Sequence, residues 1–285
     1  MQRSGLALLI SLLWLGISGC ASSKQTKNHF FFVQMSDPQF GFFTDNKSFE
    51  KETINYTKAI AATNRLKPSF LMVTGDLVNK PFDSAQVNEF LRITKQLDAG
   101  IPQYHLAGNH DVGNDPAPSD IETYNKIFGR EYYSFTHGSM QGIVLNSLYL
   151  TSPAKVIAKA AEQDQWLIKT LEESRGKAYR HKIVFLHHPF FLETSDEPNV
   201  YFNIPSETRK KYLDLFKKYG VKYVFAGHYH RNAIGNNADI KMVTTGPVGR
   251  PLGQDSSGFR IITIKGKKLS HHYYPLDSIP QKIHF

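Results

Sequence analysis

The sequence predicts an α/β fold, a sandwich of sheets flanked by helices. Two observations carry that prediction. Near-continuous apolar runs rich in Val, Ile, Phe and Tyr recur along the chain, the pattern of strands buried on both faces. Amphipathic segments separate the early runs, whereas from about Ala238 three strand-like runs follow one another with no helix between them. Parallel or mixed pairing early and antiparallel pairing late accommodates both patterns better than a singly wound sheet.

In chain order, the expected strands are FFFVQM, SFLMVTG, IPQYHLAG, GIVLNS, KIVFLHH, VKYVFAG, DIKMVTTG, FRIITIK and LSHHYYP. KETINYTKAIAATNRL has the spaced apolar positions of an amphipathic helix. DSAQVNEFLRITKQLDAG is expected to end on Gly100, just past its last helical turn. Ser119 and Glu122 have capping-box spacing at the start of SDIETYNKIFG. AEQDQWLIKTLEESRG closes on Gly176, and PSETRKKYLDLFKKYG begins with Pro and ends on Gly220. His105 and Trp166 are expected in the core, and His271 and His272 at the surface or in packing contacts.

The N-terminus of the 285-residue chain does not read as fold. Arg3 is followed by an apolar stretch, Gly5 to Ser18, that is short for a bilayer span. Ile17-Ser18-Gly19-Cys20 resembles a lipobox, and Cys20 is the sole cysteine. The expectation is a lipoprotein signal peptide over 1–19, lipidation at Cys20, and a polar tether over 20–28. It implies an exported protein anchored to the membrane of a bacterial envelope. A plain signal peptide with an incidental cysteine is the alternative. One cysteine also excludes internal disulfides and thiolate metal sites. The net charge of +9 is scattered. KGKK and TRKKY, its densest clusters, read as solvated faces, and with no recognition motif beside them nucleic acid is not an expected partner.

Five polar motifs each stand just after an apolar strand: SDPQ, Gly75-Asp76, GNHD (Gly108 to Asp111), HHP (His187 to Pro189) and GHYH (Gly227 to His230). Strand ends are where open α/β sheets build ligand sites. Any one motif would pass for a turn, but five in this position would not. On an extended segment His228 and His230 point the same way.

With these motifs the chain resembles the calcineurin-like metallophosphoesterases, whose pattern is D-x-H, G-D, G-N-H-D/E, H and G-H-x-H. It is most similar to the subgroup named for calcineurin-like phosphoesterase domain-containing protein 1. SDPQFG, GDLV, GNHDVGN, DQWL, FFLE, YFNIPSETRKK and GHYHRNA carry that likeness. The resemblance implies a four-layer α/β/β/α sandwich of two mixed sheets, with 29–285 as one catalytic domain. It also implies a phosphoric ester hydrolase with two divalent metal ions, drawn from Mn, Fe, Zn or Mg. One metal would take Asp37, Gln39, Asp76 and His230, the other Asp76, Asn109, His187 and His228. Hydroxide between the metals would attack phosphorus, and His110 would protonate the departing alkoxide, with Asp111 either orienting it or standing behind the metal ligands. Asn109, His188, Arg231 and Asn232 are candidate contacts to the phosphate-ester substrate; a rim salt bridge is the alternative for Arg231. The insertion SDEPNVYFNIPSE is expected to line the mouth of the site.

Gln39 stands where the family pattern has histidine, and the subgroup shares it. A neutral amide oxygen in that place favours Mn or Mg over Zn. A phosphomonoester is the favoured substrate, with a nucleotide or lipid-headgroup diester as the alternative. A binding protein that has lost turnover is the reading outside catalysis.

Overall fold

The computed structural model describes residues 29–285. Cys20 and the expected signal peptide and tether lie outside the described residues. Among the described residues no helix is long and apolar enough to cross a membrane.

Among the described residues eleven strands form two mixed sheets. The first contains β1 (His29–Met35), β2 (Leu71–Thr74), β3 (Gln103–Leu106), β10 (Gly258–Lys265) and β11 (Lys268–Pro275), in the order β11-β10-β1-β2-β3. β1, β2 and β3 are mutually parallel, and β10 joins β1 antiparallel. The second contains β4 (Tyr133–His137), β5 (Met140–Val144), β6 (His181–Phe185), β7 (Tyr223–Ala226), β8 (Ala233–Asn237) and β9 (Ile240–Thr244), in the order β4-β5-β6-β7-β9-β8. β9 is the late run that departs from expectation, pairing parallel with β7 and antiparallel with β8.

The continuous apolar run of β1 reflects burial on both faces. Phe30 and Phe32 pack between the sheets with Phe70, Phe185 and Phe225, while Phe31, Val33 and Met35 join the core beneath the helices. Helices flank the stacked sheets: α1 (Glu50–Leu66), α2 (Ser84–Thr94), α3 (Asn109–Val112), α4 (Pro118–Phe128), α5 (Leu148–Thr151), α6 (Ile157–Glu173) and α7 (Ser206–Tyr219). The four-layer α/β/β/α expectation therefore holds. α7 ends on Gly220 in the left-handed conformation, as its sequence indicates.

Three helix boundaries differ from expectation, one of them the start of α6, at Ile157 rather than Ala161. α2 stops at Thr94, well short of Gly100, and is capped at its start by Asp83, which accepts from the Ala85 and Gln86 N–H groups. α4 begins at Pro118, so Ser119 lies inside the first turn; Asp120, not Glu122, reaches back to the Ala117 N–H at 2.8 Å. Trp166 is half-buried against Tyr132 rather than a core anchor. His105 binds the Phe128 carbonyl through Nε2 at 2.7 Å, and His271 meets Arg260 at 3.0 Å.

The buried side chain of Gln34 joins the sheets beneath the strand ends. Its NH2 donates to Thr74 Oγ1 and the Ala226 carbonyl, both at 3.1 Å, and its oxygen accepts from Thr245 Oγ1 at 2.7 Å. This fixes the ends of β1 and β2 against that of β7.

Candidate metal centre

The loops after β1, β2, β3, β6 and β7 meet at one edge of the sandwich. Asp37, Asp76, His187, His228 and His230 are all buried there. Two groups of donor atoms form: Asp76, His187 and His228 in one, and Asp37, Asp76 and His230 in the other, each with its atoms within 4.8 Å of one another. Asp76 belongs to both. Its Oδ2 lies 3.2 Å from His187 Nε2, while His230 Nε2 lies 3.4 Å from Asp37 Oδ1. Asn109 Oδ1 adds a neutral oxygen 3.1 Å from His187 Nε2.

Each imidazole in these groups donates one N–H to a backbone carbonyl, which turns its other nitrogen toward the site. His187 Nδ1 donates to Thr74 (2.9 Å), His230 Nδ1 to Arg250 (2.6 Å) and His228 Nε2 to Tyr201 (3.3 Å). The backbone is held in costly conformations for this purpose. Asp37, Gln39, Asp76, His228 and His230 all lie in the left-handed region, with φ between 40° and 67°. Such residues cost about 1–3 kcal/mol each, which the surrounding sheets must offset. Gly227 of GHYH lets β7 close on β1, because a Cβ there would stand 2.6 Å from Asp37 Oδ2 and collide with Ser36.

The donor set fits divalent cations. It consists of imidazole nitrogens, carboxylates and amide oxygens, with no thiolate. Gln39 Oε1 is buried without a hydrogen-bond partner, a state that costs about 1–3 kcal/mol in the absence of a ligand. Electrostatics agree. Burial works against charge on His187, yet Asp76 outweighs it and raises this imidazole to about 9. Burial likewise opposes ionisation of Asp76, but His187 and His110 hold it well below the usual carboxylate range. Burial and the neighbouring His187 push His228 down to about 4, so it presents a neutral lone pair. Binding a cation at Asp76 and His187 must therefore displace the His187 proton. Apparent Mn affinity is expected to fall as pH drops below about 9, by about tenfold per pH unit for each proton displaced. Calorimetric Mn titrations across that range test this, and a flat profile would contradict it.

The other expected site residues divide into two sets. His110 is at the site, with its backbone N–H on Asp76 Oδ1 (2.8 Å) and its Nδ1 on the Asn79 carbonyl (2.9 Å). The His188 ring lies 4.1 Å from that of His228, tilted by 48°, and shares a hydrogen bond with Ser147 at 2.8 Å. Asp111 accepts from the N–H groups of Leu77, Val78 and Gly108 rather than from the His110 ring, so it ties the GD and GNHD loops together. Arg231 spends its guanidinium on the Leu252 carbonyl and Tyr229. Asn232 is engaged by Arg260, Asp255 and Gly246.

Tyr201, which sequence reasoning did not single out, stands over the site from the insertion. Its ring lies 5.0 Å from His228, its hydroxyl 3.4 Å from Asn109 Nδ2, and it is 62% exposed. The insertion is pinned from beneath by Arg209, which donates to the carbonyls of Ser195, Glu197 and Ile204. Arg209 is buried, which corrects the reading of TRKKY as a wholly solvated face. A turn-rich insertion carrying two adjacent aromatics was the available signal for Tyr201; nothing local marked Arg209 as buried.

The family model for calcineurin-like phosphoesterases matches residues 32–232. The chain belongs to the calcineurin-like phosphoesterases. As a member of that family with Asp76 common to two donor groups, it is a two-metal, metal-dependent phosphoesterase. This calcineurin-like phosphoesterase is 38% identical over 272 residues to the human serine/threonine-protein phosphatase CPPED1, covering 90% of this chain and 87% of the relative. The cattle protein of the same name is 37% identical over 274 residues, covering 91% and 88%. A dimetal phosphatase from Danio rerio shares the fold with a TM-score of 0.64 at 13% identity, over 87% of this chain and 96% of that one. These results overturn one expectation. The relatives spanning nine-tenths of the chain are eukaryotic phosphatases rather than bacterial lipoproteins, so the envelope location suggested by Cys20 is withdrawn.

Proposed function

We propose that this phosphoesterase hydrolyses phosphomonoesters, with phosphoserine and phosphothreonine side chains of proteins as its substrate class. The observation that carries the reading is the Asp76 carboxylate held in common by both donor groups, with His110 hydrogen-bonded beside it. The two relatives named as serine/threonine-protein phosphatases support the substrate class.

A pair of divalent cations would supply Lewis acidity, acidifying water and neutralising phosphoryl charge. Asp37, Gln39, Asp76 and His230 would hold one cation. Asp76, Asn109, His187 and His228 would hold the other. His110 spends Nδ1 on the Asn79 carbonyl, which leaves Nε2 to pass a proton to the departing serine or threonine oxygen. Asp111 acts by position, locking the loops that carry Asp76 and His110. Tyr201 offers an exposed aromatic edge to the residues around a phosphorylated side chain.

Phosphate release from a phosphoserine peptide should be compared with hydrolysis of bis(p-nitrophenyl) phosphate, with Mn added and with chelator. The monoester is expected to be the faster substrate and chelator to stop both. Turnover of the diester alone would overturn the reading.

A further inference from the structure

The orphaned oxygen of Gln39 raises a question that the donor set leaves open. An amide can present either oxygen or NH2, and only the oxygen binds a cation. The structure contains a chain of contacts that decides between them. Gln86, buried on α2, accepts the backbone N–H groups of Asn79 (3.0 Å) and Lys80 (2.9 Å) through Oε1. A backbone N–H cannot reverse its polarity, so the remaining atom of the Gln86 amide is its NH2. That NH2 donates to Asn46 Oδ1 at 2.9 Å. The same Asn46 oxygen accepts from Asn79 Nδ2 at 2.8 Å, which turns Asn79 Oδ1 toward Gln39 Nε2 at 3.2 Å. Gln39 is then left with its oxygen free. Gly41, with φ 106°, makes room for the chain, since a Cβ there would stand 2.6 Å from Gln86 Nε2 and 2.9 Å from Asn46 Oδ1.

We propose that Gln86, Asn46 and Asn79 form a polarity relay that holds the Gln39 amide with its oxygen available to a divalent cation. The inference rests on the two-metal reading and makes these three positioning residues of the site. Asn79 has a double part, because its backbone carbonyl also holds His110 Nδ1.

Two substitutions of equal charge separate the relay from simple electrostatics. Asn46→Asp keeps an oxygen that accepts from both neighbouring NH2 groups, so the polarity is preserved. Gln86→Glu removes the donor at the head of the chain and favours turning over Asn46, Asn79 and Gln39 together, which presents NH2 to the cation. By Coulomb's law alone both added carboxylates would tighten cation binding.

Calorimetric titration of the purified chain with MnCl2 is expected to show affinity reduced about tenfold by Gln86→Glu, the scale of one hydrogen bond, and no loss with Asn46→Asp. In a Gln39→Glu background, where either orientation presents oxygen, Gln86→Glu should cost nothing. Unchanged or tighter Mn binding by Gln86→Glu would overturn the relay, as would equal weakening in the Gln39→Glu background or in Asn46→Asp. Wild-type chain that takes up none of Mn, Fe, Zn and Mg would instead remove the two-metal reading itself.

Discussion

Asp76→Asn is expected to lower phosphate release by more than about a thousandfold, the upper end of what loss of one preorganised charge contact costs. It is also expected to cut metal content from two ions per chain to one or none. The reason is geometric. Asp76 is the one carboxylate present in both donor groups, and two cations a few ångströms apart repel unless a shared anion lies between them. Asparagine can offer one neutral oxygen to one cation and turns an NH2 toward the other. It can still accept the His110 N–H, so the GNHD loop has no reason to move. Metal content measured on the desalted variant beside its activity is the check. Two tightly held metals in Asp76→Asn would show that the carboxylate is not the bridge.

His110→Ala should separate chemistry from metal loading. The imidazole is in neither donor group, so metal content is expected to stay at the wild-type value. Turnover of a phosphoserine peptide should fall by about 10²- to 10⁴-fold, the usual contribution of a general acid. An alkoxide leaves poorly without a proton, whereas p-nitrophenolate leaves without one. Loss on p-nitrophenyl phosphate should therefore be much smaller. Equal losses on the two esters would remove the proton-donor role and leave His110 as a contact to the phosphoryl group.

The fold was legible where burial is two-sided. FFFVQM could be read as a strand because alternate phenylalanines of β1 enter different cores, so no polar face interrupts the run. YSFTH and AIGNN escaped notice for the converse reason. They form β4 and β8, the two edges of the second sheet, where one face is solvated and Gly and Asn weaken the strand signal. The end of α2 was misplaced because apolar residues continue past Thr94 in a turn that keeps helical spacing while its bonds tighten, Gln96 and Leu97 donating to the carbonyls of Ile93 and Thr94.

The site was legible because strand ends bring its residues together, and a strand end shows in the sequence as an apolar run followed by a donor. Asn79, Tyr201 and Arg209 act through contacts with residues far away in sequence or through the shape of a loop. No local pattern announces such contacts. Arg209 is the sharpest case: in TRKKY it has the same neighbours as a solvated lysine, and only the fold of the insertion gives it three carbonyls to bind.

The amide of Gln34 spans the two sheets directly beneath the strand ends. Asp37, Asp76 and Asn109 extend from strands of one sheet, His187 and His228 from strands of the other. A cation held between Asp76 and His187 would thus be a second crosslink above the one that Gln34 makes. Separation of the sheets and release of the cation then become one equilibrium, and free metal concentration sets how often the sandwich opens.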